Sequence, residues 1–171
     1  TKDGRRYEFK GLAIHSASGK YFYWGLTRVT DTQGNHIKVS YPPSAGWVEM
    51  AEQAVASGPT YGVPAASSAG GGGAVSYLPR SISYGGHEGS GEFPSHHILF
   101  GYENRPDPLS WCRAGFRQDI TQRLVSIEIR NGGTTLRHYK LRYSQNTAGL
   151  SLLNSIQLYG KDGSSLPAET Y

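Results

Sequence analysis

The sequence predicts an all-β protein of antiparallel hairpin repeats, and three observations carry that expectation. Glycine and tyrosine are abundant, at 23 and 12 of 171 residues, while methionine occurs once. Such a composition favours strands and turns over helices. Several runs alternate apolar and polar residues with a period of two, which turns one strand face toward a core and the other toward water. One phrase also recurs: a leucine, an aliphatic residue three or four positions later, then a glycine-containing turn.

In chain order, Tyr7-Glu8-Phe9 and Tyr21-Phe22-Tyr23-Trp24 are aromatic runs that follow the turn residues Asp3-Gly4 and Ser18-Gly19. Trp24 is expected in the core. Leu26 and Val29, then Ile37, Val39 and Tyr41, flank Asp31-Thr32-Gln33-Gly34-Asn35, which reads as strand, turn, strand. Val48 to Val55 is the one stretch with helical character, so at most one short helix is expected. Gln53 to Pro79 contains no charged residue, and residues 65–74 are only Ala, Ser and Gly. Residues 56–76 are therefore expected to form a flexible Gly/Ala/Ser-rich loop, within which 65–74 carry no chemistry. Leu78 opens the second phrase, and Ile98 to Tyr102 follows it as a strand. Asn104-Arg105-Pro106-Asp107-Pro108 reads as a stiff turn, because each proline fixes its own φ and restricts the residue before it.

Arg123 to Arg130 runs into Asn131-Gly132-Gly133 and then Leu136 to Tyr143. Asn-Gly between two such runs is a strong hairpin signal. Tyr139, Leu141 and Tyr143 alternate with His138, Lys140 and Arg142, so the cationic set is expected away from the core. Leu153 to Gly163 is the fourth phrase, followed by a short tail. Hairpins of this kind stack edge to edge, since one alone cannot bury its apolar face. The expected architecture is a twisted sheet or sandwich segment. It would be a single β-rich domain over residues 1–171, or a fragment of a larger β-shell with the array cut partway. The residues expected to hold the strands together are Leu26, Val29, Ile82, Leu124, Ile127, Leu153 and Ile156.

Composition narrows the function. A chain of this length buries roughly 70% of its unfolded surface and needs no staple to fold. Cys112 is the only cysteine, which excludes an intramolecular disulfide and any zinc site of two or more thiolates. The chain starts at Thr1 without an apolar leader, and no apolar run approaches the ~18 residues of a membrane helix, so no membrane span is expected. Lys plus Arg number 17 against 13 Asp plus Glu, a spread-out +4 whose densest pair is Arg5-Arg6. That is not the basic stripe of a nucleic-acid protein.

No catalytic motif is complete. His96 and His97 are adjacent, so in a strand they face opposite sides. His87-Glu88 begins like a zinc-protease helix, but Gly91 stands where the second histidine is required. The glycines at 70–73 lack the Lys-Ser or Lys-Thr of a phosphate loop, and there is no G-x-S-x-G elbow. Cys112 beside Arg113 reads as a small packed side chain rather than a nucleophile. The expectation is no catalytic residue, no metal and no cofactor. An alternative reading gives the aromatics a role: Trp47, Trp111, Tyr61 and Tyr84 would stack on sugar rings and make the chain a carbohydrate-binding β-module.

The segment Trp24-Gly-Leu-Thr-Arg-Val-Thr-Asp-Thr-Gln-Gly-Asn-His-Ile-Lys-Val-Ser-Tyr41 resembles a stretch of the SpvB/TcaC-type amino-terminal region. That region belongs to the B components of insecticidal toxin complexes and to related Rhs/YD-repeat shell proteins. Leu78 to Gly85, Phe100 to Asp107, Gly115 with Arg123 to Ile127, Tyr139 to Tyr143 and Ser151 to Gly163 follow in the family's order, over nearly the whole chain. The resemblance implies a non-catalytic segment of a β-shell that encloses or delivers a cargo domain, secreted or delivered at the cell surface. The implied partners are other segments of the same shell protein or toxin-complex subunits; a glycan belongs to the alternative reading. The catalytic activities of that family lie in other domains, so no catalytic residue carries over. The chain is shorter than a complete shell, and residues 65–74 match no family feature.

Overall fold

The computed structural model describes residues 2–15, 20–41, 74–75, 78–112 and 118–171. These residues form ten strands: β1 (Arg6–His15), β2 (Lys20–Thr30), β3 (Asn35–Ser40), β4 (Ala74–Val75), β5 (Ser81–His87), β6 (His96–Trp111), β7 (Gln118–Asn131), β8 (Thr134–Gln145), β9 (Ser151–Gly160) and β10 (Glu169–Thr170). There is no helix among the described residues. All ten strands belong to one open sheet in the order β1-β2-β3-β5-β6-β7-β8-β9-β10, with β4 pairing β7 off that path. Every pairing is antiparallel except the short parallel one between β4 and β7. The fold is therefore all-β, and the single sheet takes the first of the two predicted arrangements. Val48 to Val55, Trp47 and Tyr61 lie outside the described residues, as does all of 56–76 except Ala74 and Val75.

The turns explain why neighbours in sequence become neighbours in the sheet. In the β2–β3 hairpin the Asp31 carboxylate accepts from the backbone N–H of Gln33 and of Asn35, both at 2.9 Å, and from the Asn35 amide at 2.9 Å. These bonds, the Asn35 side chain first, hold the Asp31 carboxyl below its ordinary range. Gly34 closes the turn at φ +93°, a conformation that strains residues with a Cβ. The same device recurs between β8 and β9. The Asn146 side chain accepts from the N–H of Ala148 at 3.0 Å and of Leu150 at 2.9 Å, and Gly149 takes the left-handed position. The shared geometry is a short polar side chain folded back on its own backbone.

The period-two pattern becomes continuous rows across the sheet. Val39, Ile82, Ile98 and Ile129 are successive cross-strand partners, as are Phe100, Ile127, Tyr139 and Leu158. Opposed side chains share a face, so these rows define one apolar face. The opposite face carries polar rows, such as Ser83, His97 and Arg130, or Gly101, Ser126, Lys140 and Gln157. The seven residues named for the core are all half-buried. Tyr102, in the same apolar set, has its phenol pushed up to about 12 by burial and donates to the Pro79 carbonyl at 2.9 Å.

Two expectations are corrected. Trp24 is not in the core; it is 59% exposed, because β2 lies one strand from the sheet edge and its partner across β1 is Gly11. Nor does Asn104–Pro108 end a strand. β6 continues through it, with Asn104 opposite Gln122 and Leu109 opposite Ile120, so residues 105–108 bulge out against the single residue Thr121. The two prolines, which lack N–H donors, occupy positions where no ladder bond is required. The short tail also does more than trail away: Glu169 and Thr170 pair with Ile156 and Ser155 of β9.

Candidate functional site

The feature that breaks the regular sheet is a fork. β7 and β8 pair from Asn131–Thr134 as far as Ser126–Lys140, and there the ladder stops. On either side pairing continues, β6–β7 to Trp111–Gln118 and β8–β9 to Gln145–Ser151. Both flanking ladders shift register at this level, between Gly101 and Tyr102 in β6 and between Arg142 and Tyr143 in β8. The extra residues are Val125 in β7 and Asn154 in β9. A bulge bends its strand and increases local twist, so two bulges at one height turn the two ladders apart.

The looped-out residues of β6 staple the prongs together. Asp107 accepts from the Ser151 backbone N–H at 2.7 Å and from the Ser151 hydroxyl, across 44 residues of chain. Arg105 donates to the same carboxylate at 2.9 Å. The Asp107 side chain is only 6% exposed, and these bonds, Arg105 first, hold its carboxyl far below the ordinary carboxylate range. Arg123 of β7 donates to Glu103 at 2.6 Å and to the Ser151 hydroxyl at 2.7 Å, and its guanidinium lies 4.5 Å from the centre of the Tyr143 ring. The Tyr143 hydroxyl donates to the Leu124 carbonyl at 2.6 Å, joining the prongs directly.

Between the prongs is a groove of about 540 Å³. Val125, Leu141 and Tyr143 give it an apolar part and Ser126 a hydroxyl; His138, Lys140 and Arg142 line it with nitrogen groups, and Glu103 is its acid. Glu103 is already engaged by Arg123. Lys140 lies 5.1 Å from the centre of the Tyr159 ring, and among the described residues neither Lys140 nor Arg142 has a carboxylate within ion-pair distance. Burial pushes the His138 imidazole down, against the pull of Glu128. Glu128 is itself partly buried, but hydrogen bonds from Arg130 and Thr135 outweigh burial and keep it below the ordinary range.

A second hollow, of about 380 Å³, is lined by Arg28, His36, Lys38 and Phe93 among others. It is closed electrostatically from within: one Glu88 oxygen receives Arg6 at 2.6 Å and Arg28 at 2.8 Å. Among the described residues no group of three or more His, Cys, Asp or Glu side chains is placed to hold a metal ion. His87 and Glu88 occupy a strand end and a turn. His97 bonds the Ser83 hydroxyl at 2.9 Å, and His96 stacks on Tyr84, so the pair faces opposite ways.

Of the four aromatics in the sugar-stacking reading, Trp47 and Tyr61 lie outside the described residues. Tyr84 stacks on His96 with ring centres 5.1 Å apart. Trp111 is half-buried and donates its indole N–H to Gln118 at 2.8 Å. Tyr84 is paired with the first residue of the sixteen-residue β6 and Trp111 is its last, so these two share no platform. Sequence reasoning missed the staple residues Arg105, Asp107, Arg123 and Ser151. Their partners are 20 to 44 residues away, and only the Arg105–Asp107 pair is local.

The described residues thus define one open sheet, antiparallel except for the β4–β7 pair. No family model and no curated protein matches the sequence. Solved structures do match the fold. The crystal structure of TcdB2-TccC3 aligns at a TM-score of 0.62 and 14% identity, over 97% of this chain and 10% of that one. The pore of the Photorhabdus luminescens Tc holotoxin aligns at 0.64 and 14%, over 97% and 10%. The N-terminal domain of the effector SpvB from Salmonella typhimurium aligns at 0.62 and 13%, over 92% and 58%. The chain therefore spans a tenth of the toxin-complex chains and under two thirds of the SpvB domain. Identity this low speaks to fold alone. Among the described residues no helix is long and apolar enough to cross a membrane.

Proposed function

We propose that this chain is a non-catalytic structural segment of a toxin-complex or Rhs-like β-shell, which encloses or delivers a cargo domain outside the producing cell. The observation that supports this reading best is the incompleteness of the sheet. β1 is a ten-residue edge strand paired on one side only among the described residues. The apolar face beside it exposes Phe9 and Trp24 by more than half. An isolated module protects such edges and covers such faces, whereas a shell segment leaves both for the next strands of the same wall. The partners that follow are neighbouring segments of the shell polypeptide or other subunits of the complex. The fork and its staple then have a mechanical role: they turn the sheet sharply, as a curved wall requires. The test is an antibody raised against this chain and used on the cells that make it. A native band far larger than a 171-residue polypeptide is expected; a native product of 171 residues would refute the reading.

A further inference from the structure

We propose that the fork between β7 and β8 is a docking site for an extended polypeptide strand bearing acidic residues two positions apart. Two independent observations carry this, and neither depends on the shell reading. The first is backbone chemistry. Beyond Ser126–Lys140, residues Leu141–Gln145 of β8 have their β7-side edge unpaired among the described residues, although their other edge is laddered to β9. Edge N–H and C=O groups held in strand geometry are a template for one more strand. On the β7 side, among the described residues, Gln118 and Asp119 pair with β4 at the far end of the fork, and nearer its apex the Leu124 carbonyl accepts from the Tyr143 hydroxyl.

The second observation is charge. Lys140 and Arg142 are exposed, alternate on one face of β8, line the groove and have no carboxylate partner among the described residues. Alternate residues of a strand stand about 7 Å apart on one face. An incoming strand with Asp or Glu at i and i+2 would set one carboxylate against each cation, while its intervening side chains meet Val125 and Leu141. The groove's own acid does not compete, because Glu103 is committed to Arg123. An acidic glycan would satisfy the cations but leave the edge amides of β8 unused, which favours the peptide.

The test uses the full chain and a synthetic capped nonapeptide alternating Glu with Thr and Val, against the same peptide carrying Gln for Glu. Saturable binding of the Glu peptide is expected, weakened about tenfold by the Gln exchange and by raised salt. Lys140→Gln with Arg142→Gln should weaken it by about tenfold or more at unchanged circular dichroism. Arg137→Gln, one residue before His138 and so on the opposite face, should leave it unchanged. Arg142→Gln alone serves if the double variant folds poorly, with a smaller loss in the same direction. Amide exchange should slow over residues 141–145 when the peptide is bound. Equal affinity for the two peptides, an unaffected double variant, no saturable binding at millimolar peptide, or tighter binding of heparin with no slowing at 141–145 would each overturn the proposal.

Discussion

The two ends of the sheet use the same kind of residues and treat them differently. Around β6 to β9, the cross-strand set Phe100, Ile127, Tyr139 and Leu158 is half-buried throughout. At the β1–β2 end, Phe9 is 58% and Trp24 59% exposed on strands just as aromatic. Composition does not separate them. What separates them is curvature: at the fork, bulges and the Asp107 staple draw β6 across to β9, so the far end of the sheet partly covers itself. At the β1 end β4, itself paired to β7, lies against β1, yet Phe9 and Trp24 remain mostly exposed while Leu26 and Val29 are half-buried. Strands of similar composition thus bury their large aromatic side chains to different degrees at the two ends.

The largest effect should come from the self-covered end. Phe100→Ala removes a large ring from the middle of its row and should cost about 3 kcal/mol, read as a fall in denaturant midpoint at constant slope. A loss below about 1 kcal/mol would mean that this end is as open as the other.

Asp107→Asn should come next. It keeps the shape of the staple but removes the charge that Arg105 and Ser151 hold, so the melting temperature at neutral pH should fall by a smaller amount than for Phe100→Ala. The pH dependence has a definite sign. The folded carboxyl titrates below its unfolded value of about 3.9, so its contribution is complete above about pH 5 and is lost as pH falls through the acid range. The gap between wild type and variant should therefore narrow steadily below about pH 4. A gap independent of pH would show that the staple does not work through charge.

The smallest effect should be that of Trp24→Ala, within about 0.5 kcal/mol, as for most exposed positions. A cost of several kcal/mol would place Trp24 against a covering element and abolish the contrast between the two ends.

This contrast was only half legible in the sequence. The hairpins were, because their signals are local: Asp31 through Asn35 and Asn131-Gly132-Gly133 carry their turn chemistry within five residues. The alternation in Tyr139 to Tyr143 also named the inward face correctly. The bulge was not legible, since two prolines around Asp107 look like a turn from nearby sequence. Only Ser151, 44 residues on, shows why the strand continues past them. Trp24 was misjudged for a related reason: an aromatic strand reports that a face is apolar, not that anything covers it. The fork arises from the coincidence of two register shifts in different ladders, which no single segment encodes. Lys140 and Arg142 were visible as an outward cationic pair, but not as the wall of a groove.

The most direct test of the central claim, that this chain is an open sheet left uncovered at its β1 end, is sedimentation velocity over a wide concentration range. The wild-type chain should self-associate as concentration rises, through the β1 edge and the apolar face beside it. Phe9→Lys with Trp24→Lys should suppress that association without lowering the melting temperature, because both side chains are already exposed. A wild-type chain that stays monomeric at every concentration, and gains nothing from the two lysines, would contradict the account.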